Sequence, residues 1–198
     1  MAKKKTIKIG VDLDGVVARH SLGGFWVWAR KIKEKILKKM RSSTYYYPAT
    51  PLEQLAWKII DGARRPFVDK DNLFTSFAKR DEVQFYLVTS RFKFLEKLTQ
   101  GWLKKYRLGS GFYQVLINTK DIDPLAFKTK AIKDHGLDFF IDDDLEVINY
   151  LKNKIPAKLY WVMPDHKNEN DNPDSQVKSC QDFSEALRKI LKLLKDNP

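Results

Sequence analysis

The chain has 198 residues, of which 43% are hydrophobic and 13% aromatic, enough for one well-buried core or one core with a modest insertion. The net charge of +12 favours anionic partners such as nucleotides, sugar phosphates, nucleic acid or an anionic membrane surface. The single cysteine, Cys180, excludes an intrachain disulfide and a cysteine-rich zinc site, and neither a run of ~18 apolar residues nor a signal-peptide pattern is present, so we expect a cytoplasmic protein.

Short apolar runs alternate with helical patterns along most of the chain. The runs that fit buried strands are 7–13, 84–88, 113–117, 139–141 and 159–162. A helical pattern covers 95–106, with Gly109 as its expected left-handed cap, and another follows the capping-box residues Asp182 and Glu185. This alternation predicts an α/β fold: a three-layer, Rossmann-like core with a mostly parallel sheet, whose ligands bind at the C-terminal strand ends.

Residues 20–79 break the alternation, because two helical patterns follow one another there without a strand. The first has an apolar stripe from Phe25 to Met40 and a basic face from Arg30 to Arg41, which is most simply a solvated face. We therefore predict a small α-helical cap at 20–79, inserted after the first strand, and a core made of 1–19 and 80–198.

Polar residues stand at four places where strands end or helices begin. They are Asp12-Leu13-Asp14, Thr89-Ser90-Arg91, Lys128 and Asp142-Asp143-Asp144. In a parallel sheet these places converge. Each signal has a plain structural alternative, since an Asp-x-Asp-Gly sequence often forms a turn, and one of the last three acids, most simply Asp144, should cap the following helix.

Two carboxylates one residue apart suit a nucleophile and a general acid or base, if the chain bends at Gly15 so that both face one pocket. The second acidic group, Asp142 and Asp143, would bring like charges together, which a divalent cation relieves. Oxygen ligands of this kind suit Mg²⁺ better than zinc. Thr89, Ser90 and Lys128 would form a phosphate cradle beside them.

In their order from residue 7 to about 150, the motifs Asp-x-Asp-Gly-Val, strand-Thr-Ser, lysine and Ile-Asp-Asp resemble the haloacid dehalogenase (HAD) superfamily of phosphohydrolases. The resemblance implies that Asp12 attacks phosphorus to form an aspartyl-phosphate, while Asp14 protonates the leaving oxygen and later activates water. The presence of Asp14 argues against true dehalogenation.

The same resemblance implies that Thr89 and Lys128 hold the phosphoryl oxygens, with Lys130 as the alternative lysine. Mg²⁺ would then lie between the Asp12 carboxylate, the Asp14 backbone carbonyl and Asp142 or Asp143. Within the superfamily, the pattern most resembles the cytosolic 5'(3')-deoxyribonucleotidases and their bacterial relatives.

We thus expect a Mg²⁺-dependent phosphomonoester hydrolase acting on a nucleoside monophosphate or another small phosphorylated metabolite, such as a sugar phosphate. No membrane partner is expected. The basic charge leaves two alternatives, a polynucleotide end phosphatase and a non-catalytic, basic nucleic-acid-binding protein.

Overall fold

The computed structural model describes residues 6–19, 47–163 and 176–196. The apolar stripe from Phe25 to Met40 and the basic face from Arg30 to Arg41 lie outside the described residues. Within these ranges, none of the helices combines the length and apolar character that a bilayer crossing requires.

A six-stranded sheet forms the centre of the fold. The described residues form the strands β1 (Ile7–Asp12), β2 (Ala18–Arg19), β3 (Arg65–Pro66), β4 (Val83–Phe92), β5 (Gln114–Asn118), β6 (Phe139–Asp142), β7 (Lys158–Val162) and β8 (Val177–Cys180), of which β2 and β3 make a separate two-stranded sheet. The helices are α1 (Pro51–Gly62), α2 (Leu73–Ala78), α3 (Glu96–Lys105), α4 (Pro124–His135), α5 (Leu145–Leu151) and α6 (Phe183–Asp196). The sheet order is β5-β4-β1-β6-β7-β8, and every adjacent pair is parallel.

Apolar side chains on both faces of the sheet account for this arrangement. Along β4, Phe85 and Leu87 pack with α2, α3 and α6, whereas Tyr86 and Val88 point the other way, toward α4 and α5. A parallel sheet covered by helices on both sides needs such doubly apolar strands. The predicted three-layer, mostly parallel α/β architecture is confirmed.

The register of β1, the inner strand between β4 and β6, determines which residues meet at the C-terminal edge of the sheet. Asp12 pairs with Val88 of β4, so it lies beside Thr89 along the edge. On the other side, Val11 pairs with Ile141 of β6, which places Asp12 next to Asp142. The convergence of strand ends expected from the sequence is therefore a direct result of the pairing.

Helix boundaries follow local signals in most cases. Thr50 and Glu53 form a capping box at the start of α1, and the Asp182 carboxylate accepts the backbone N–H of Glu185 at the start of α6.

The prediction that Gly109 caps α3 is wrong: Arg107 takes the left-handed conformation, with φ of 55°. The Leu108 N–H then bonds to the Leu103 carbonyl, which ends the helix earlier.

The chain leaves and re-enters the core through the antiparallel pair β2 and β3, in which Ala18 pairs with Pro66. Helix α2 follows β3, and its Phe74 and Phe77 are buried against Phe85 of the sheet. We propose that the predicted insertion ends near Phe67, because α2 contributes to the same apolar core as β1 and β4.

Truncation of Phe74 tests this assignment. Phe74 is 3% exposed and packs against Phe85, Phe112 and Phe183, so Phe74→Ala should lower the free energy of unfolding by ~3–5 kcal/mol. Val68, on the same segment but 72% exposed, is the control, and Val68→Ala should change it by less than about 0.5 kcal/mol. Urea denaturation measures both; equal effects would contradict the assignment of α2 to the core.

Candidate active site

A buried lysine joins two carboxylates at the C-terminal edge of the sheet. The Lys128 Nζ lies 3.0 Å from an Asp12 oxygen and donates a 2.7 Å hydrogen bond to Asp142 Oδ2. All three residues are almost completely buried. Lys130, the alternative lysine, is exposed and pairs with Asp134 instead, so the structure places Lys128 among the acids.

The position of Lys128 follows from the way α4 begins. Asp123 caps the helix by accepting the Ala126 N–H, and Pro124 occupies the first turn. Lys128 then lies three and four residues before Ala131 and Ile132, which are buried against the sheet. Residues at these spacings share one helix face. The lysine is therefore directed toward the sheet edge by the apolar face of its own helix.

Asp143 completes an acidic cluster, by which we mean Asp12, Asp142 and Asp143. One carboxylate oxygen from each lies within 4.8 Å of the others. The Asp143 carboxyl end lies against Gly15, where a Cβ atom would overlap it, although part of the residue remains exposed to solvent. Gly15 also has φ of +87°. The bend expected after Asp14 is present, and Gly15 is needed both for that backbone conformation and for space.

Burial and mutual repulsion dominate the electrostatics of this cluster. Burial, opposed by Lys128 and reinforced by Asp142, Asp14 and Asp143, raises the pKa of Asp12 well above its usual value. Burial also raises the pKa of Asp142, against the effect of the Lys128 charge. For Asp143, burial and then the Asp142 charge raise the pKa to about 7.

The pKa of Lys128 is raised as well, which in a lysine favours the charged form. Burial alone would lower its pKa, but attraction to Asp12 and Asp142 more than offsets this and raises the pKa above the usual lysine value. Lys128 is thus held as a cation. One ammonium nevertheless faces three carboxyl groups, so their ionised forms carry a surplus of negative charge in a buried place.

The acidic cluster fits a divalent cation on two grounds. Its donors are all carboxylate oxygens, which suit a hard ion such as Mg²⁺, and they are close enough to contact one ion together. A divalent charge would also remove the surplus described above. Asp144, by contrast, caps α5 by accepting the Glu146 N–H, as predicted from the sequence.

Asp14 belongs to a second charged group, the Asp14 cluster, which consists of Asp14, Asp61, Arg64 and Arg91. Arg91 binds Asp14 with two contacts, Nε to Oδ2 at 2.8 Å and Nη2 to Oδ1 at 2.7 Å. The Arg64 Nε lies 2.9 Å from Asp14 Oδ1 and 3.2 Å from Asp61 Oδ1. Two guanidinium groups therefore balance two carboxylates.

Thr89 and Ser90 lie within β4, which extends beyond the predicted 84–88 to Phe92. The strand register shifts between Thr89 and Phe92, and this irregularity turns the following residues toward the site. The Thr89 hydroxyl is buried and accepts the Arg91 N–H at 3.3 Å. Ser90 lines the same cavity as Asp12, Asp14 and Lys128.

This cavity has a volume of about 570 Å³, enough for a small organic phosphate. Its lining includes the acids and Lys128 and also two aromatic side chains, Trp57 of α1 and Phe92 of β4, which we call the aromatic wall. The two rings contact edge to face, with centroids 5.9 Å apart.

Sequence reasoning did not identify Asp61, Arg64 or Trp57 as site residues, and it gave Arg91 no role. The available signals were weak: Asp61 and Arg64 are three residues apart at the end of a helical pattern, and Arg91 directly follows Thr89-Ser90. The structure brings these residues to the cavity together with every site residue predicted from the sequence except Thr89, which lies just behind Arg91.

The sequence matches no protein-family model and no curated protein sequence. Solved structures nevertheless share the fold. The HAD-hydrolase YfnB of Bacillus subtilis, bound to magnesium, gives a TM-score of 0.62 at 10% identity, over 96% of this chain and 99% of that one. A HAD phosphatase from Thermococcus onnurineus gives 0.60 at 14% identity, over 94% and 98%.

A 2-haloacid dehalogenase from Pseudomonas syringae pv. Tomato DC3000 gives a TM-score of 0.52 at 12% identity, over 95% of this chain and 99% of that one. The chain therefore has the Rossmann-like fold of the HAD-superfamily hydrolases. At such low identity the similarity extends to the fold, and phosphatases and dehalogenases share it.

Gly15 provides a structural test of the site. Gly15→Ala should lower the free energy of unfolding by more than about 1 kcal/mol, because the new methyl group meets Asp143 and the φ value disfavours any side chain. Gly101, in α3, has no neighbour within 4 Å of an added Cβ, so Gly101→Ala should raise it by ~0.5–1 kcal/mol. Thermal and urea unfolding measure both; a stabilised Gly15→Ala protein would contradict the described contact.

Proposed function

We propose that the protein is a Mg²⁺-dependent phosphomonoester hydrolase in which Asp12 is the nucleophile. The observation that carries this proposal is the buried Asp12 carboxylate, 3.0 Å from the Lys128 ammonium in a cavity that also contains Asp14. A phosphate monoester repels an anionic nucleophile, so a fixed cation beside that nucleophile is the feature that the reaction needs.

The first step forms a bond between an Asp12 oxygen and phosphorus. The bond from phosphorus to the leaving oxygen breaks, and its electron pair stays on that oxygen. Asp14 enters this step in its protonated form, with Arg64 and Arg91 as hydrogen-bond donors to its oxygens, and supplies the proton that makes the leaving group an alcohol. Lys128 and the Ser90 hydroxyl contact the phosphoryl oxygens, with Thr89 fixing the backbone behind them. The products are an aspartyl-phosphate and the free alcohol.

The second step regenerates Asp12. The Asp14 carboxylate accepts a proton from a water molecule whose oxygen attacks phosphorus, and the bond between phosphorus and Asp12 breaks. Inorganic phosphate leaves the cavity. Asp14 thus donates a proton in one step and accepts one in the next, which requires that its carboxyl group be held at a constant position in the cavity.

Asp12, Asp142 and Asp143 would hold Mg²⁺, with the Asp14 backbone carbonyl as a further oxygen ligand. Bound there, the ion would neutralise charge on the carboxylates and on the phosphoryl group. The close approach of the three acidic residues supports this assignment.

A nucleoside monophosphate is the substrate that we favour, as the resemblance to deoxyribonucleotidases suggested. Its support in the structure is the aromatic wall of the cavity, where Trp57 and Phe92 could contact a flat base. Sugar phosphates fit the same reaction without using this wall. The 2-haloacids are the natural comparison substrates, because dehalogenases share the fold.

Replacement of the nucleophile is the main test. With Mg²⁺ present, Asp12→Asn should lower phosphate release by at least ~10⁴-fold, because an amide does not form the intermediate. The substrates are 4-nitrophenyl phosphate, nucleoside monophosphates, sugar phosphates, end-phosphorylated oligonucleotides and a 2-haloacid. Asp134→Asn, at an exposed acid, is the control and should keep full activity.

Wild-type turnover by Asp12→Asn would exclude Asp12 as the nucleophile. Preference for the oligonucleotide would favour the end-phosphatase alternative, and halide release would favour a dehalogenase. Salt-sensitive nucleic-acid binding without any turnover would favour the non-catalytic alternative.

The two neighbouring lysines test the phosphate-binding role. Lys128→Met should lower kcat/KM by ~10²–10³-fold, because the buried cation beside Asp12 is lost, whereas Lys130→Met should leave it unchanged. Lys128→Arg keeps the charge and is the second variant if Lys128→Met does not fold. Circular dichroism checks the folding of both. Equal activities of the folded Lys128 and Lys130 variants would contradict the role of Lys128.

A further inference from the structure

Three members of the Asp14 cluster are buried although they line a cavity, whereas the Asp14 side chain is 27% exposed. Asp61 is 2% exposed, and Arg64 and Arg91 are each 5% exposed. Its charges balance, with two guanidinium groups and two carboxylates. Buried ion pairs of this kind contribute little net stability, but they orient their members strictly when the contacts are bidentate or shared.

The two arginines approach Asp14 from different parts of the fold. Arg91 lies on β4 of the sheet, donates a hydrogen bond to Thr99 of α3 at 3.1 Å, and has its Nη2 3.9 Å from Asp61 Oδ1. Its shortest contacts outside Asp14 are therefore with the core. Arg64 lies between α1 and β3, in the segment that leads back from the insertion. It contacts Asp61 of α1 through the same Nε that contacts Asp14.

Arg64 is also fixed through its backbone. Its carbonyl accepts the Trp102 indole N–H at 2.9 Å, and its side-chain Nη1 lies 3.5 Å from the carbonyl of Ala18, which lies just before the insertion. Arg64 thus connects three structural parts at one point: helix α1 through Asp61, the core through Trp102, and the site through Asp14. An ion pair that only held α1 in place would need Arg64 and Asp61, whereas here Arg64 also contacts an Asp14 oxygen.

We propose that Arg64 is a positioning residue that makes the orientation of the Asp14 carboxyl group depend on the correct packing of α1 against the core. This inference rests on the proposed function, because it concerns proton transfer between Asp14 and the leaving oxygen. Arg91 fixes Asp14 relative to the sheet and approaches α1 only through the 3.9 Å distance to Asp61. Arg64 adds a second contact, which fixes it relative to α1, the helix whose Trp57 lines the substrate cavity.

The leaving group of the substrate shows whether Arg64 acts through proton transfer. Phenyl, 4-nitrophenyl and 2,4-dinitrophenyl phosphate have similar shapes, but only a basic leaving oxygen such as phenoxide needs a proton as it departs. The value of kcat/KM reports the step in which Asp12 displaces this group. A defect in Asp14 orientation should therefore grow with the basicity of the leaving group.

The variant is Arg64→Lys, which keeps the charge but loses the planar, shared contact. Its kcat/KM should fall by ~10–100-fold for phenyl phosphate and by less than about threefold for 2,4-dinitrophenyl phosphate. Arg65→Lys changes the adjacent, exposed arginine and should have no effect on either substrate. Thermal unfolding of each variant checks that the chain is folded.

A double-mutant cycle makes the test specific for Asp14. In an Asp14→Asn protein, adding Arg64→Lys should change kcat/KM for phenyl phosphate by less than about threefold, because the group that Arg64 positions is already lost. A loss that is equal for all three substrates, or that persists fully in the Asp14→Asn background, would overturn the role of Arg64. Wild-type protein that hydrolyses none of these esters would instead overturn the proposed function, and the role of Arg64 with it.

Discussion

The contact of one buried ammonium with two buried carboxylates is the constraint on which the site depends. Lys128 compensates Asp12 and Asp142, both buried, but it cannot balance Asp143 as well, whose partly exposed carboxyl group adds surplus negative charge. Such an arrangement destabilises the folded state. It becomes reasonable when the site receives a divalent cation, which offsets the surplus and, together with Lys128, attracts the phosphoryl group.

The rest of the fold holds these groups in place. Parallel pairing of β1 with β4 and β6 brings Asp12, Thr89 and Asp142 to one edge, and the buried face of α4 brings Lys128 to the same edge. Gly15 gives the chain its exit and leaves room for Asp143. The Asp14 cluster then connects this edge to α1, so that the proposed nucleophile and proton donor are held by different networks: Asp12 by the core alone, and Asp14 by the core and α1 together.

Most of the core and the acidic site could be predicted from the sequence, because both follow from local patterns. A doubly apolar strand that ends in two acids fits a parallel sheet. The alternation of such strands with helical patterns predicted the fold class, and the order of the polar motifs indicated the resemblance to the HAD superfamily. The choice between Lys128 and Lys130 was left open, although the spacing of Lys128 to Ala131 and Ile132 contained the answer. Left-handed Arg107 in place of Gly109 shows the limit of local rules, since a non-glycine residue takes the left-handed conformation and the Leu108 N–H closes the helix on the Leu103 carbonyl.

Arg64 could not be predicted, because its contact with Asp14 joins distant parts of the chain and depends on the packing of α1.

Identification of the phosphorylated residue shows most directly whether Asp12 is the nucleophile. Wild-type protein mixed with 4-nitrophenyl phosphate and Mg²⁺ is quenched in acid before steady state, and its peptides are analysed by mass spectrometry. We expect a phosphoryl group on Asp12. A phosphoryl group on another side chain, or none at any time while nitrophenol is released, would contradict it.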